Sequence, residues 1–486
     1  LGDVLSRSTF GTVYKGVVRG QNVAIKRYPI KSVDHNVDEQ TIVDGFLREA
    51  HMLSQVRCPN ILLFMGYSRN TDSLFIITEL MTSGSVRDVV RRDPRAIDVH
   101  RALAIARDIA VALSWMHTQT TPLLHLNIKP ANILVNRDLT AAKISSFRTS
   151  KQKPVDVASD GLLTGQAGSI PYMAPEMLLN QRYNEKCDVY SWAITLWEMA
   201  TGKEAFGGMF NTLPEMHAAV AGKGVRPPLL EWFPFSLKDL LSSCWAHDPS
   251  QRPSFRQIID EHRLEQVMVD HVLHHDVIAR QFWSNNFLGR RDVSWDTFLH
   301  TFSIYFHFSV RDPSPAITQL IHCLKLVMVP GERVSIEQFG RFVAWFGPLA
   351  VGKGSVILER MWNTCCWTDG FQGDMATGEA INAKLLHTPG NYLIRFSTSA
   401  LGHFAVSYIN KNKQVNHVKV EYAFDKGFQF SDERVFHPSL AKLVATKKSM
   451  FKYPIIESNF NIIKNTSYLQ QSNGPAVYCD VPIHKK

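Results

Sequence analysis

The sequence predicts an α+β, multidomain chain. Its 486 residues set a soft prior of about three domains. The hydrophobic period changes along the chain from strand-like to helical and, after residue 373, back to strand-like. A composition 45% hydrophobic and 20% charged is an ordinary globular balance, with enough apolar residues for more than one core.

Residues 1–30 alternate strand-like runs with Gly and polar breaks ("FGTVYKGVVRGQNVAIKRY"), which predicts a twisted antiparallel sheet. From about Asp38 to Val56 the apolar spacing is helical. Two strand-like runs follow, "NILLFMGYS" and "SLFIITELM". From Val86 to about His262 helical periods dominate, so a small β lobe precedes a larger α lobe. Residues 263–372 read as aromatic-rich helices ("RQFWSNNFLG", "VSWDTFLHTFSIYF", "SIEQFGRFVAWFG") with breaks at "RDPSP" and "VPGE". Residues 373–456 give one helix ("TGEAINAKLL"), three strands ("NYLIRFSTS", "HFAVSYINK", "VNHVKVEYA") and a helix near "HPSLAKLVATK". Residues 457–486 are rich in Asn, Gln, Ser and Pro and read as a polar tail. There are no internal repeats.

No window approaches the roughly 18 consecutive apolar residues of a membrane helix. The first residue is Leu1 rather than Met, so an N-terminal part is expected to be missing. The seven cysteines are scattered and show no CxxC pair, which argues for a reducing compartment, against a disulfide framework and against a zinc site. A formal charge of +9 is mild for this length. It suits phosphopeptides or lipid surfaces, but charge alone favours a plain solvated basic surface; nucleic acid is not expected.

"STFGTVYKG" occupies the place of a Gly-rich phosphate loop, with Gly11 present and Ser6 and Ser8 where two further glycines would stand. "VAIK" supplies Lys26, and "FLREAHML" supplies Glu49 as its partner. Alone, these two would pass for surface charges. In this order, with "KPANILV", "YMAPEMLL", "CDVYSW" and "DPSQRPSF", residues 1–262 resemble the protein kinases, and their wording is nearest the tyrosine-kinase-like branch. The resemblance implies a bilobal fold with an ATP cleft. Thr78 would be the gatekeeper, Glu79 to Met81 the hinge, and Val13, Ala24 and Leu134 would line the adenine. Asp188 and a buried Glu176–Arg252 pair would scaffold the large lobe, and Leu53, His125 and Phe147 would stack between the lobes.

The departures bear on activity. Kinases use an Asp that accepts the substrate hydroxyl proton and a second Asp that holds magnesium. This sequence reads His125-Leu126-Asn127 at the first motif and Ser146-Phe147-Arg148 at the second. An amide is no proton acceptor, and a serine is a poor ligand for a hard dication. Lys129 and Asn132 are retained. Lys26 and Glu49 keep ATP binding open, magnesium is doubtful, and the fold reads as a pseudokinase. A weak or atypical Ser/Thr or dual-specificity kinase is the alternative.

"FWSNNFLGRRDVSWDTFLHTF" and "VSIEQFGRFVAWFGPL" resemble the EF-hand region of the Cbl ubiquitin ligases. With Glu337 as the twelfth loop position, the early positions fall on Leu326, Met328 and Pro330, and Gly331 makes the turn. None of those three offers a side-chain oxygen, so the segment is expected to be a connector without calcium.

In "GNYLIRFSTSALGHFAVSYI", alternation places Arg395 inside an apolar strand on the face of Leu393 and Ser397. A buried arginine needs an anion, either an internal carboxylate or a ligand phosphate. Ser397, Thr398 and Ser399 follow at once, and "VNHVKV" brings His417 and Lys419. This region resembles SH2 domains of the Cbl and STAT kind, with a central antiparallel sheet flanked by two helices. The resemblance implies that all six residues bind phosphotyrosine. The first-helix arginine of many SH2 domains falls here near Thr377 or Gly378 and is absent.

Tyr468 and Tyr478 lie in the polar tail as candidate phosphorylation sites, and "NTS" at Asn465 is a glycosylation sequon in form only. A kinase-like part followed by an SH2 part resembles the SH2-bearing Shk-type kinases of amoebae. That implies a cytoplasmic signalling protein that tyrosine-phosphorylated partners recruit to membranes, with another kinase as an allosteric partner.

Overall fold

A computed structural model describes residues 2–8, 11–30, 39–153, 163, 168–290, 292–305, 307, 315–328, 332–349, 355–375, 378–386, 388–400, 402–423, 426–456, 458 and 460. The chain folds as two compact units, Leu1–Met268 and Val269–Lys486.

The first unit opens with β1 (Val4–Ser8), β2 (Gly11–Val18), β3 (Gln21–Pro29), helix α1 (Glu39–Gln55), β4 (Phe64–Arg69) and β5 (Ser73–Glu79). The strands form one antiparallel sheet in the order β1-β2-β3-β5-β4. The sequence predicts a strand from Asn60, yet β4 starts at Phe64. The backbone of Asn60 and Leu62 pairs instead with Ile144, at 2.9 Å each way. Helix α1 buries Ile42, Phe46, Glu49 and Leu53. Three of these are apolar and recur at helical spacing, so the carboxylate sits in the stripe that faces the core.

The larger lobe runs through α2 (Val86–Arg92), α3 (Val99–His117), β6 (Leu123–Leu124), β7 (Ile133–Val135), β8 (Ala142–Ile144) and β9 (Lys151–Gln152). It continues with α4 (Pro175–Leu178), α5 (Lys186–Thr201), α6 (Leu213–His217), α7 (Phe235–Cys244), α8 (Phe255–Asp260) and α9 (Arg263–Val272). Strand β7 pairs with β8, and β6 with β9. Helix α5 is buried nearly all round, as the central helix of a lobe must be. Ser85 caps α2 in a capping box with Asp88, and Asp98 caps α3 through the amide of Arg101. Arg252 donates to both Glu176 oxygens at 2.7 and 2.8 Å, and it also reaches the carbonyls of Lys186, Ala246 and His247. The expected buried pair is thus present and well satisfied.

The second unit starts with α10 (Val277–Phe287), β10 (Asp292–Ser294), α11 (Trp295–Tyr305), α12 (Pro315–Met328), β11 (Arg333–Ser335), α13 (Ile336–Phe346) and α14 (Ser355–Cys366). Two helix–strand–helix segments join through the antiparallel β10–β11 pair, which the sequence reading did not anticipate. Phe339 of α13 lies at the centre of an aromatic core, 5.4 Å from Trp283, 5.5 Å from Phe282 and 5.8 Å from Phe298.

There follow β12 (Phe371–Gly373), α15 (Gly378–Leu385), β13 (Asn391–Phe396), β14 (Phe404–Ile409), β15 (Val415–Ala423), β16 (Gly427–Phe430), α16 (Leu440–Ala445) and β17 (Tyr453–Pro454). The sheet order is β12-β13-β14-β15-β16, and β17 also pairs with β13. Strands β13 and β14 are buried at every position, and apolar residues dominate both.

Candidate functional sites

In the first unit, Val13 lies opposite Lys26, and Ala24 lies opposite Thr78. Opposed strand residues share a face, as do residues two apart. Val13, Ala24, Lys26 and Thr78 therefore line one face of the sheet. The Lys26 ammonium donates to both Glu49 oxygens at 2.9 Å, and the Tyr28 hydroxyl donates to the same carboxylate. Burial, and then the charge of Glu49, raises the Tyr28 pKa well above its ordinary value, so it remains a phenol donor.

Glu79 accepts from Lys143 at 2.6 Å and from the amide of Leu63 at 2.7 Å, while Thr78 Oγ1 donates to the Glu79 carbonyl at 3.2 Å. The Met81 carbonyl accepts from the Gly84 amide at 3.3 Å. Leu134 lies opposite Lys143 in the β7–β8 pair. Gly11 is buried, and a Cβ there would fall 2.4 Å from the Arg27 carbonyl oxygen. Close packing of β2 on β3 already requires this glycine, whatever it does toward phosphate. The loop tip at Thr9 and Phe10 lies outside the described residues.

The segment around Asn127 hangs from a buried acid. Asp188 accepts from the amides of His125 and Leu126, both at 2.8 Å, and from His117 Nε2 at 2.9 Å. Leu126 takes a positive φ of 65°. His125 Nε2 donates to the Ser145 carbonyl at 3.0 Å, and its ring meets Phe147 edge-on at 5.1 Å. Lys129 Nζ donates to Ser169 Oγ at 2.5 Å, and Ser169 donates to Asn127 Oδ1 at 3.2 Å. Asn132 Nδ2 donates to the Asn127 carbonyl at 2.7 Å. Burial, then the charge of Arg87, lowers the Lys129 pKa. Ser146 sits in the left-handed region with φ 68°. A cavity of about 580 Å³ opens beside Lys129 and Ser169, walled by α2, α5 and α6.

In the second unit, the register aligns Arg395, Ala405 and Lys419 in one row, and Leu393, Ser407 and His417 in the next on the same face. Arg395 is 8% exposed. Its Nε donates to Ser407 Oγ at 3.3 Å and its Nη1 to the Phe396 carbonyl at 3.1 Å. His417 Nδ1 meets Ser407 Oγ at 2.9 Å. Burial first, and then the Arg395 charge, lowers the His417 pKa. In the loop after β13, Ser397 Oγ bonds Ser399 Oγ at 3.3 Å and accepts from the Ala400 amide at 3.2 Å. Thr398 is exposed there, and Lys419 pairs with Glu421 at 3.5 Å.

A model of the family "protein tyrosine and serine/threonine kinase" matches residues 1–262, and an SH2-domain model matches residues 371–446. The chain belongs to the protein tyrosine and serine/threonine kinase family. It is an SH2-bearing signalling protein of Shk type. The dual specificity protein kinase shkB of Dictyostelium discoideum is 37% identical over 456 residues, covering 92% of this chain and 66% of that protein. Its relatives shkA and shkC from the same organism are 32% and 31% identical, covering 86% and 91% of this chain and 81% and 87% of their own length.

The kinase domain implies ATP binding, and the SH2 domain implies partners that carry phosphotyrosine. The structure joins Lys26 to Glu49, brings Asn127, Lys129 and Asn132 into one hydrogen-bonded loop, and gathers Arg395, His417 and Lys419 on one face. Sequence reasoning missed Ser169, which bridges Lys129 and Asn127, and Ser407, which bridges Arg395 and His417. Ser407 had a signal available, because alternation along "FAVSYI" puts a lone hydroxyl on the inner row. Ser169 lies 42 residues from Asn127, so local pattern gave none.

Leu326 and Met328, read above as loop positions, belong to helix α12, and Met328 is buried. Pro330, Gly331, Thr377, Tyr468, Tyr478 and Asn465 lie outside the described residues. Gly378 opens α15. Among the described residues no group of three or more His, Cys, Asp or Glu could hold a metal ion, and no helix is long and apolar enough to cross a membrane.

Proposed function

We propose that this chain reads phosphotyrosine through Arg395 and holds nucleotide in a kinase domain that transfers phosphate poorly. The carrying observation is the state of Asn127. Its Oδ1 accepts from Ser169 where a kinase needs a carboxylate to take the hydroxyl proton. The donor set for magnesium is equally altered. Ser146 offers a hydroxyl and Asn132 an amide already donating to the Asn127 carbonyl, so neither metal position carries charge. These residues do not fit a hard dication.

The Lys26–Glu49 pair supports nucleotide binding. Lys26, fixed by Glu49, offers its cation to phosphate oxygens. The Glu79–Met81 backbone offers adenine its hinge, and Val13, Ala24 and Leu134 offer it apolar contact. The domain then serves as a scaffold or as the allosteric partner of another kinase. Domain limits of 1–262, 263–372 and 373–456 with a tail at 457–486, a connector that takes no calcium, and a cytoplasmic site of action with recruitment to membranes complete the reading.

A second reading has its own support. The relatives are named dual specificity kinases, and the Lys26–Glu49 pair is formed. On that reading this chain is a weak enzyme acting on Ser/Thr or on both hydroxyl classes. A radiolabelled-ATP assay on the full chain, with and without magnesium or manganese, decides between them. No transfer, with nucleotide still raising the melting temperature, supports the first reading. Robust autophosphorylation abolished by Lys26→Met establishes the second.

A further inference from the structure

Arg87 stands in the first turn of α2, where the helix dipole favours an acid and opposes a cation. Arg91 follows four residues later on the same helix face, and like charges at that spacing repel. Arg91 lies in the last turn and gains there from the dipole, but Arg87 has no such gain. Both are exposed, and among the described residues neither has an ion-pair partner. Asp88, next to Arg87, is engaged with Ser85 in the capping box.

Both arginines line the cavity of about 580 Å³ that opens beside Lys129. Lys203 lines it too, and the charge of Arg87 acts on Lys129. The acids of the lining are Glu198 and Glu204. Glu198 accepts from the Tyr172 hydroxyl at 2.9 Å and from the Ala205 amide at 2.8 Å, and burial, the main influence, raises its pKa. Its negative charge is therefore disfavoured, and it is a poor counter-charge for the arginines. Glu204 is exposed and follows Lys203 directly. The cavity thus carries positive charge that its own walls do not balance.

The rest of the lining is largely apolar. Val86 and Val90, also four apart, stand beside the two arginines on α2. Met199 and Phe206 face the same cavity, and both are buried. An apolar centre with a polar rim in which arginine is prominent is the make-up of a protein interface. The volume falls within the range of about 300–1,000 Å³ for sites that enclose a bound group.

We propose that this cavity docks an acidic peptide segment of a protein partner, with Arg87 and Arg91 pairing with its carboxylates while one of its apolar side chains occupies the cavity. A peptide meets both demands, because it sets acidic and apolar side chains a few residues apart. A lone anion would leave the apolar lining wet. Carboxylates brought to α2 relieve the repulsion among Arg87, Arg91 and Lys129. The site lies wholly within the first unit, uses no phosphotyrosine, and operates whether or not the domain transfers phosphate.

The test uses the full chain and two fluorescein-labelled peptide pools that lack tyrosine. Both are randomised in Leu, Met, Phe and Ala, and they differ only in carrying Glu or Lys. Polarisation reads binding, and thermal melting reads folding. The Glu pool should bind, the Lys pool should not, and added salt should weaken the Glu pool. Arg87→Gln combined with Arg91→Gln should weaken Glu-pool binding roughly tenfold, as the loss of two exposed charge pairs does. Melting should be unchanged, because both residues are exposed. Arg87→Glu with Arg91→Glu should turn the preference toward the Lys pool. Arg256→Gln, on α8 and outside the cavity lining, should bind like wild type. No binding of the Glu pool by the wild type, or equal binding of the two pools, overturns the proposal. Wild-type affinity in the folded double Gln variant overturns it as well. Equal losses in that variant and in Arg256→Gln assign binding to general positive charge and also overturn it.

Discussion

The guanidinium of Arg148 lies against Gly45 of α1, one turn before Glu49. A Cβ at position 45 would fall 2.8 Å from Arg148 Cζ. Arg148 is the third residue of the degenerate motif, and Glu49 is the acid that fixes Lys26. The field of Glu49 acts on Arg148, although burial is the larger influence and lowers the arginine's pKa. The third residue of the altered motif thus packs against the helix that carries Glu49.

Overfilling this contact should be costly. Gly45→Leu forces Arg148 away and should destabilise the first unit by about 1–3 kcal/mol, as overpacking does. It should also weaken nucleotide binding by loosening α1. Calorimetric titration with ATP alongside thermal melting reads both. Unchanged affinity at lowered stability would separate α1 from the nucleotide site.

Restoring the chemistry should need both positions. A lost general base costs about 10²–10⁴-fold by itself. Asn127→Asp with Ser146→Asp should therefore raise phosphate transfer more than the two single changes combined, since base and metal ligand act as a unit. Initial rates with radiolabelled ATP decide it. A double variant no faster than its better single parent would place the block elsewhere, with Arg148 as the first suspect.

The Glu176–Arg252 pair sets a different scale. Both side chains are buried, at 5% and 1% exposure. Glu176→Gln leaves the guanidinium without its counter-charge and should cost about 3–5 kcal/mol. Replacing both by Leu and Met should cost less than that. Urea denaturation of the full chain measures the two, and equal losses would mean that Arg252 is held mainly by its three carbonyl partners.

His125 predicts a pH dependence. Its Nε2 donates to Ser145, and its Nδ1 lies 3.3 Å from the Asn127 amide, so the neutral tautomer is the one in use. Burial lowers its pKa below 6.5, with Asp188 opposing. The unfolded chain binds this proton more readily. Stability should therefore fall as pH drops below 6.5. His125→Phe should be less stable than wild type near pH 7.5, and the gap should narrow by about pH 5.5 as the wild type loses its advantage. Melting midpoints at the two pH values test this. A constant gap would show that His125 takes up its proton without penalty.

Much of the fold was legible because its signals are local. Period-two alternation around Lys26 and Arg395, and helical spacing around Glu49, each lie within one element. Non-local pairings were not legible. Asn60 and Leu62 left the expected strand because Ile144, far along the chain, takes their backbone bonds. Ser169 bonds Asn127 across 42 residues, and Arg341 pairs with Asp374 across 33. The segment read as the start of an EF-hand-like loop without calcium is the end of α12, with Met328 buried. Side-chain oxygen counting sees ligands, and it does not see where a helix stops.

The stacking of Trp345 on Phe396 bears on how this region can be cut or inherited. SH2 domains are usually treated as portable cassettes. A fragment starting at residue 371 would bare one face of Phe396, strip the Ala344 backbone from Gly402 and leave Asp374 without Arg341. Such a fragment should expose aromatic surface, self-associate and under-report affinity. Both partners of each of these contacts lie within the second unit, Val269–Lys486, so a cut at residue 371 divides that unit internally.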